Sequence, residues 1–155
     1  MTPAINSAKH AGIAFQIHEY DHDATAHSYG LEAAEKLGVS VAQVFKTLVV
    51  KLDGKQLAVG IVPVNGQLGL KQIAKAAGAK KATMAEPSEV ERTTGYVLGG
   101  VSPLGQKKRL ATFIDHSAES FASIYVSAGR RGLEIELAPG DLATLSQATF
   151  VPLAT

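Results

Sequence analysis

Gly95-Tyr96-Val97-Leu98-Gly99-Gly100-Val101-Ser102-Pro103-Leu104-Gly105-Gln106-Lys107-Lys108-Arg109 runs from a short apolar stretch through a glycine and proline loop into three consecutive cations. Glycines at 99, 100 and 105 let the backbone approach a ligand closely, and Pro103 stiffens the loop. Such a loop can present N–H groups to an oxyanion or a phosphate. Lys107, Lys108 and Arg109 place positive charge beside it, as a polyanionic substrate requires. A plain solvated turn explains the same three cations equally well from pattern alone. The glycines fit neither a phosphate loop, since no Gly-Lys-Ser/Thr follows them, nor the dinucleotide fingerprint.

Lys46 lies between Val44-Phe45 and Leu48-Val49-Val50. A cation at that strand entrance is partly desolvated unless it faces a pocket or an anion. The competing reading is a lysine that buries its stem and sends its ammonium to water. Thr47 alone says little, because threonine is a good strand residue. Ser127-Ala128-Gly129-Arg130-Arg131-Gly132-Leu133-Glu134-Ile135-Glu136 is a second constellation. Read as a surface hairpin, Gly129 and Gly132 make its turn and the glutamates face water. Read functionally, Ser127 and Glu134 reach a pocket and Arg130 and Arg131 meet phosphates.

His18-Glu19-Tyr20-Asp21-His22-Asp23-Ala24-Thr25-Ala26-His27 carries side chains that a divalent metal would use, but the spacing matches no metal motif and no metal is expected. A serine hydrolase triad lacks its Gly-x-Ser-x-Gly elbow. Cysteine is absent from the chain, which excludes disulfides, thiolate metal sites and a protein thiol nucleophile.

The elements that must position these residues alternate between helix and strand across 155 residues. That length and a 46% hydrophobic content predict one domain over residues 1–155. The net charge of +1 speaks against wholesale nucleic-acid binding, so any basic footprint is local. Apolar runs fall far short of the roughly 20 residues of a membrane span, and no signal-peptide pattern opens the chain, so a cytoplasmic protein is expected.

Thr2-Pro3 caps a first helix that Gly12 ends, and Ile13, Phe15 and Ile17 alternate as a strand. A second helix is predicted from near Ser28 to Lys36, closed by Gly38, and Ser40-Val41-Ala42-Gln43 reads as the cap of a brief third. Thr47–Leu52, Asp53-Gly54 and Gln56–Val62 form a hairpin whose second strand, apolar on both faces, belongs at the centre of a sheet. Leu70, Ile73, Ala74 and Ala77 predict a packed helix ended by Gly78. Further strands are expected near 81–84, 96–101, 110–114, 124–126 and 133–137, with short helices at 87–94 and 141–146. The fold class is therefore mixed α/β, with short helices around a mixed sheet curled toward a barrel.

Taken together, Met1-Thr2-Pro3-Ala4, Phe15-Gln16-Ile17-His18-x-Tyr20-x-His22-Asp23, Phe45-Lys46-Thr47-Leu48, Thr94-Gly95-Tyr96 through Lys107-Lys108-Arg109, and Ile124-Tyr125-Val126-Ser127 to Ile135-Glu136-Leu137 resemble the YbaK/EbsC family. These proteins are single-domain relatives of the prolyl-tRNA synthetase insertion domain. The resemblance covers almost the whole chain, in order. It implies a trans-editing enzyme that removes cysteine from mischarged Cys-tRNA(Pro), without a cofactor, with prolyl-tRNA synthetase as a partner and no membrane. It also implies that Lys46 is the essential residue. Gly99, Gly100, Val101, Ser102 and Pro103 would then hold the aminoacyl end, and Tyr20, Tyr29, Thr47, Ser127 and Glu134 would line the pocket. Phosphate contacts fall to Lys107, Lys108, Arg109, Arg130 and Arg131. Tyr29 and Glu134 depart from the phenylalanine and aspartate more usual in that family.

The implied reaction takes its nucleophile from the substrate, whose own thiol attacks its ester while the enzyme supplies attack geometry. Two other readings remain open. One is an editor that uses water on another mischarged tRNA such as Ala-tRNA(Pro). The other is a non-catalytic module that binds tRNA or a nucleotide.

Overall fold

Residues 1–155 other than 24, 26 and 27 are described by a computed structural model. Pro3–Ala11 (α1) starts on the Thr2 side chain, which accepts from the Ile5 N–H, and stops at left-handed Gly12. Phe15–Glu19 (β1) follows, then Tyr29–Leu37 (α2), whose Ser28 cap accepts from the Leu31 N–H. Phe45–Leu52 (β2) and Gln56–Pro63 (β3) pair antiparallel from Phe45 opposite Pro63 to Leu52 opposite Gln56, joined by a turn with positive φ at Asp53 and Gly54. Leu70–Ala77 (α3), Ala82–Met84 (β4), Pro87–Thr94 (α4), Ala111–Asp115 (β5), Ile124–Arg130 (β6), Leu133–Leu137 (β7), Pro139–Ser146 (α5) and Thr149–Val151 (β8) complete the order. Among the described residues no helix is long and apolar enough to cross a membrane.

Two sheets result. β1, β7 and β6 form one in that order, all antiparallel, and β4-β2-β3-β5-β8 form the other, with parallel pairs on both sides of β5. β3 lies in the middle of the five strands, where its two apolar faces require it to be. Val59 and Ile61 enter a core shared with Ile124, Val126, Leu133, Ile135 and Leu137 of the three-stranded sheet. Ala58 and Val62, on the other face, pack with Ile73 and Ala74 of α3. The strand period of two thus leaves Glu134 and Glu136 on the face of β7 that looks away from the shared core. Ala33 and Ala34 of α2 cluster with Val44, Val64, Tyr125 and the ring of Tyr20. A side chain at Gly30 would meet Val64 at 2.2 Å, so this glycine sets how closely α2 can approach.

Several sequence expectations are corrected. The sheets do not curl into a barrel. They remain two open sheets, joined by the isolated parallel bridge between Val44 and Tyr125 and by the Tyr125 N–H to Gln43 carbonyl bond of 3.1 Å. Residues 96–101 form no strand, because a local turn takes the N–H groups that would start one: Thr94 Oγ1 takes the Tyr96 N–H at 3.1 Å and Val97 carbonyl takes the Gly100 N–H at 3.0 Å. Val97 and Leu98 of that apolar run are exposed. Residues 40–43 make a single turn, where the Ser40 hydroxyl takes the Ala42 N–H before any helix propagates. β8 and a one-turn 3₁₀ segment at His116–Ser120 carry too little periodicity to read in advance.

One buried carboxylate holds the residues that follow β8. Asp115 Oδ1 accepts from the N–H groups of Leu153 (2.8 Å) and Ala154 (2.9 Å), while Oδ2 takes the Ser117 hydroxyl at 2.6 Å and its N–H at 3.2 Å. Burial works to raise its pKa, but these bonds outweigh it and hold the carboxyl below its ordinary value. Asp115→Ala orphans several donors at once and is expected to destabilise the fold by about 3 kcal/mol. Urea denaturation checks this, and an unchanged midpoint would show that the chain end closes without the carboxylate.

Candidate functional site

The first half of β2 has an open edge. β4 pairs only with Val50, Lys51 and Leu52, and β6 reaches that side only at the Val44–Tyr125 bridge, which leaves Lys46 to Leu48 unsealed between them. Val44 carbonyl points to the β3 side, where it takes the Val64 N–H, and Val49 carbonyl points the other way, to Ala85. By strand alternation the backbone polar groups of Thr47 therefore face the open edge. A cavity of about 290 Å³ sits there. Phe45, Lys46, Thr47 and Leu48 of β2 line it together with Tyr20, which follows β1, and with Ser28, Tyr29 and Gly30 at the start of α2. Leu98, Gly99 and Val101 of the glycine loop, Ser127 of β6 and Glu134 of β7 complete the wall. Register explains the last two: Glu134 pairs with His18 on one side and Ser127 on the other, so all three share one sheet face.

The cavity holds polar groups that the protein does not satisfy. Lys46 makes no ion pair among the described residues, and desolvation lowers its pKa. Thr47 Oγ1 is buried without a hydrogen-bond partner. Glu134 is 7% exposed, and burial pushes its carboxyl up to about 8, so it is mostly protonated at neutral pH. Tyr20 is raised to about 12 by burial first and then by the charges of Glu134 and Glu32. In the loop, the Gly100 N–H is spent on Val97, whereas the N–H groups of Gly99 and Val101 have no acceptor among the described residues. Ser127 Oγ accepts from the Gly129 N–H at 3.1 Å and has no base within hydrogen-bond reach among the described residues.

Tyr20, Tyr29, Lys46, Thr47, Gly99, Val101, Ser127 and Glu134 thus converge on one space. Gly100, Ser102 and Pro103 do not line it. Gly100 packs on the Arg130 backbone, where a Cβ would come within 2.7 Å of Cα. Ser102 is fully buried, its hydroxyl taking the Leu104 N–H, and Pro103 borders a different cavity together with Arg109. Lys107 and Lys108 stand exposed on the turn after α4, and Arg109 reaches the Leu145 carbonyl at the end of α5. Arg130 faces Glu19 at 3.5 Å. Arg131 alone of the five cations is at the cavity mouth, its Cζ 3.9 Å from the centre of the Tyr29 ring and Nη2 donating to the Leu98 carbonyl at 3.4 Å.

The sequence does not single out Leu98 or Glu32. Leu98 reads as part of an apolar strand, and nothing in the spacing links Glu32 to its partners. Its buried carboxylate takes His22 Nδ1 at 2.7 Å and the Asp23 N–H at 2.7 Å, tying the segment after Tyr20 to α2. The described histidines of that segment do not converge: His22 goes to Glu32, and His18 Nε2 lies 2.9 Å from Glu136 Oε1. His27, the last of the possible metal ligands, lies outside the described residues.

Glu134 yields a stability prediction. Its folded pKa is above its unfolded one, so between about pH 4.5 and 8 the folded state binds the extra proton and stability falls as pH rises. Glu134→Gln removes that cost. The variant is expected to melt about 3 °C or more above the parent at pH 8, with the gap closing toward pH 4.5, in thermal unfolding across that range. A pH-independent gap would place an ionised carboxylate in the cavity throughout.

The aminoacyl-tRNA editing domain model matches residues 24–145. EbsC of Enterococcus faecalis, described as a candidate Cys-tRNA(Pro)/Cys-tRNA(Cys) deacylase, is 42% identical over 122 residues, spanning 79% of this chain and 74% of its own. ProXp-y of Escherichia coli K12, a multifunctional Ser/Thr-tRNA deacylase, is 30% identical over 122 residues, spanning 76% and 73%. A solved structure described as a candidate trans-editing enzyme for prolyl-tRNA synthetase shares the fold, with a TM-score of 0.85 at 22% identity over 100% of this chain and 99% of that one. The matched span contains every cavity-lining residue except Tyr20, and the chain belongs to the aminoacyl-tRNA editing domain family.

Proposed function

We propose that this chain is an aminoacyl-tRNA deacylase that acts in trans in the cytoplasm on Cys-tRNA(Pro), with residues 1–155 working as one editing domain. The observation that carries the reading is a small cavity lined by an unpaired ammonium, an unpartnered hydroxyl, a buried carboxyl and a glycine loop with two N–H groups that no acceptor takes, with no nucleophile–base pair among the described residues beside them. Such a site holds and polarises an ester rather than attacking it. EbsC, with its Cys-tRNA description, supports the substrate, and the prolyl-tRNA synthetase connection of the solved relative supports that synthetase as the partner.

The nucleophile is the substrate's own sulfur. Sγ of the cysteinyl group bonds to the ester carbonyl carbon, the carbon–oxygen bond to the ribose breaks, and the ribose oxygen leaves with the electron pair and takes up the thiol proton. Water then opens the four-membered thiolactone to free cysteine. Ring closure this strained depends on a folded acyl group held in place, which a tight cavity supplies. The N–H groups of Gly99 and Val101 stabilise the developing oxyanion, an effect of about 3 kcal/mol per donor. Lys46 anchors the terminal ribose or its phosphate, Thr47 Oγ1 bonds the ester end, and Glu134 with Tyr20 and Ser127 receives the α-amino group. Tyr29 closes the mouth. Gly100, Ser102 and Pro103 hold the loop in shape, and Lys107, Lys108, Arg109 and Arg130 are left for phosphates beyond the mouth. Pro-tRNA(Pro) is spared because proline carries no thiol, a stronger filter than the 10- to 200-fold that about one methylene of fit provides.

ProXp-y favours a second reading, in which water attacks and side chains without a thiol are accepted. Blocking the thiol separates the two: S-methyl-cysteinyl-tRNA(Pro) is expected to survive while Cys-tRNA(Pro) is deacylated, and cleavage of the blocked ester together with Ala-tRNA(Pro) would establish water as the nucleophile. Lys46→Ala is expected to lower kcat/KM on Cys-tRNA(Pro) by about 100-fold or more while the thermal transition stays native, since a desolvated charge is removed. Full activity in that variant would end the role of Lys46. No amino-acid release from any substrate would leave a binding module.

A further inference from the structure

We propose that Arg131, laid on the Tyr29 ring at the cavity mouth, is a stacking platform for the base of the substrate's 3′-terminal nucleoside; this rests on the deacylase reading above. An aminoacyl ester has a part that enters the cavity and a part that cannot. About 290 Å³ takes the acyl group, so the nucleoside to which it is joined lies at the rim. The rim there is built from Tyr29, the loop at Leu98 and Gly99, and Arg131.

Two observations, how the guanidinium is held and what lies beside it, favour a base over a phosphate, and a third leaves the guanidinium free to act. The guanidinium is held in place: Tyr29 covers one face at 3.9 Å and the Leu98 carbonyl takes Nη2 at 3.4 Å, while the residue remains exposed, leaving the opposite face to solvent. Its charge is uncompensated, since Arg131 pairs with no carboxylate among the described residues, whereas neighbouring Arg130 faces Glu19. Beside it Val97 and Leu98 are 58% and 43% exposed, an apolar surface that suits the flat face of a base and offers a phosphate no side-chain donor. Bases stack on arginine planes and aromatic rings in single-stranded recognition, and a nucleic-acid 3′ end is single-stranded.

Gly99 is what allows the platform. Its φ is +88°, and a Cβ there would lie 2.5 Å from Arg131 Nε and 2.6 Å from Tyr29 Cε2. Any side chain would push the guanidinium off the ring. One glycine thus serves the acyl group through its N–H and the nucleoside through its missing Cβ.

The experiment compares three cysteine esters: Cys-tRNA(Pro), 3′-O-cysteinyl-adenosine, which has a base but no phosphate, and cysteine ethyl ester, which has neither. The parent is expected to prefer cysteinyl-adenosine to the ethyl ester. Arg131→Ala narrows that preference by about tenfold or more, and Arg131→Lys, which restores charge but no plane, fails to recover it. Recovery by lysine, or a loss seen on Cys-tRNA(Pro) but absent on cysteinyl-adenosine, overturns the platform in favour of a phosphate contact. If the parent cleaves none of the three, the deacylase reading fails, and adenosine titration followed by NMR decides the platform separately. Shifts of the Arg131 Nε–H and Tyr29 ring signals uphold it, and their absence overturns it.

Discussion

The unsealed edge of β2 is the constraint on which the rest depends. A strand inside a sheet normally spends its backbone groups on both neighbours. Here β4 covers only Val50 to Leu52, so the same strand is core at one end and wall of a cavity at the other. Were β4 to continue to Phe45, Thr47 would be sealed and Lys46 would have no concavity to face. The bridge from Val44 to Tyr125 keeps the second sheet close enough for Ser127 and Glu134 to look across the gap. The opening between the two sheets is therefore part of how the site is made.

Polar groups left unmatched in that gap are costly, and the fold meets the cost elsewhere. Lys46 and Glu134 are both shifted toward their neutral forms by burial, and neither is relieved by a partner among the described residues. Pairing them would satisfy both groups and fill the space between them. Outside the cavity the molecule shows the opposite economy: Asp115 is bonded at both oxygens, Glu136 is met by His18 and Ser123, and Glu32 by His22 and the Asp23 N–H. Satisfied carboxylates brace the walls, and unsatisfied groups face the space between them.

Much of the fold was legible from local chemistry. Thr2-Pro3 and Gly12 bound the first helix because capping and φ preferences act within a turn. Asp53-Gly54 set the hairpin, and the two apolar faces of β3 set its central place, because each is a short-range or single-strand property. Residues 96–101 show the limit of such local reading: their apolar run has strand composition, but Thr94 Oγ1 and a turn closed on Val97 take the Tyr96 and Gly100 N–H groups first. Barrel closure could not be read, since it depends on strand-to-strand distances across the whole chain.

The candidate site divides along the same line. Sequence by itself determined residue chemistry and its local setting: a lysine at a strand entrance, glycines in a loop, alternation that puts Ser127 and Glu134 on polar faces, and the absence of a cysteine nucleophile. Only tertiary structure decided which of these meet. It brought Lys46, Gly99 and Glu134 to one cavity, turned Gly100, Ser102 and Pro103 to supporting the loop, left Lys107 to Arg109 away from it, and laid Arg131 on Tyr29. The physical reason is that propensity and periodicity act over a few residues, whereas convergence is set by strand register and by where a sheet edge is left unpaired.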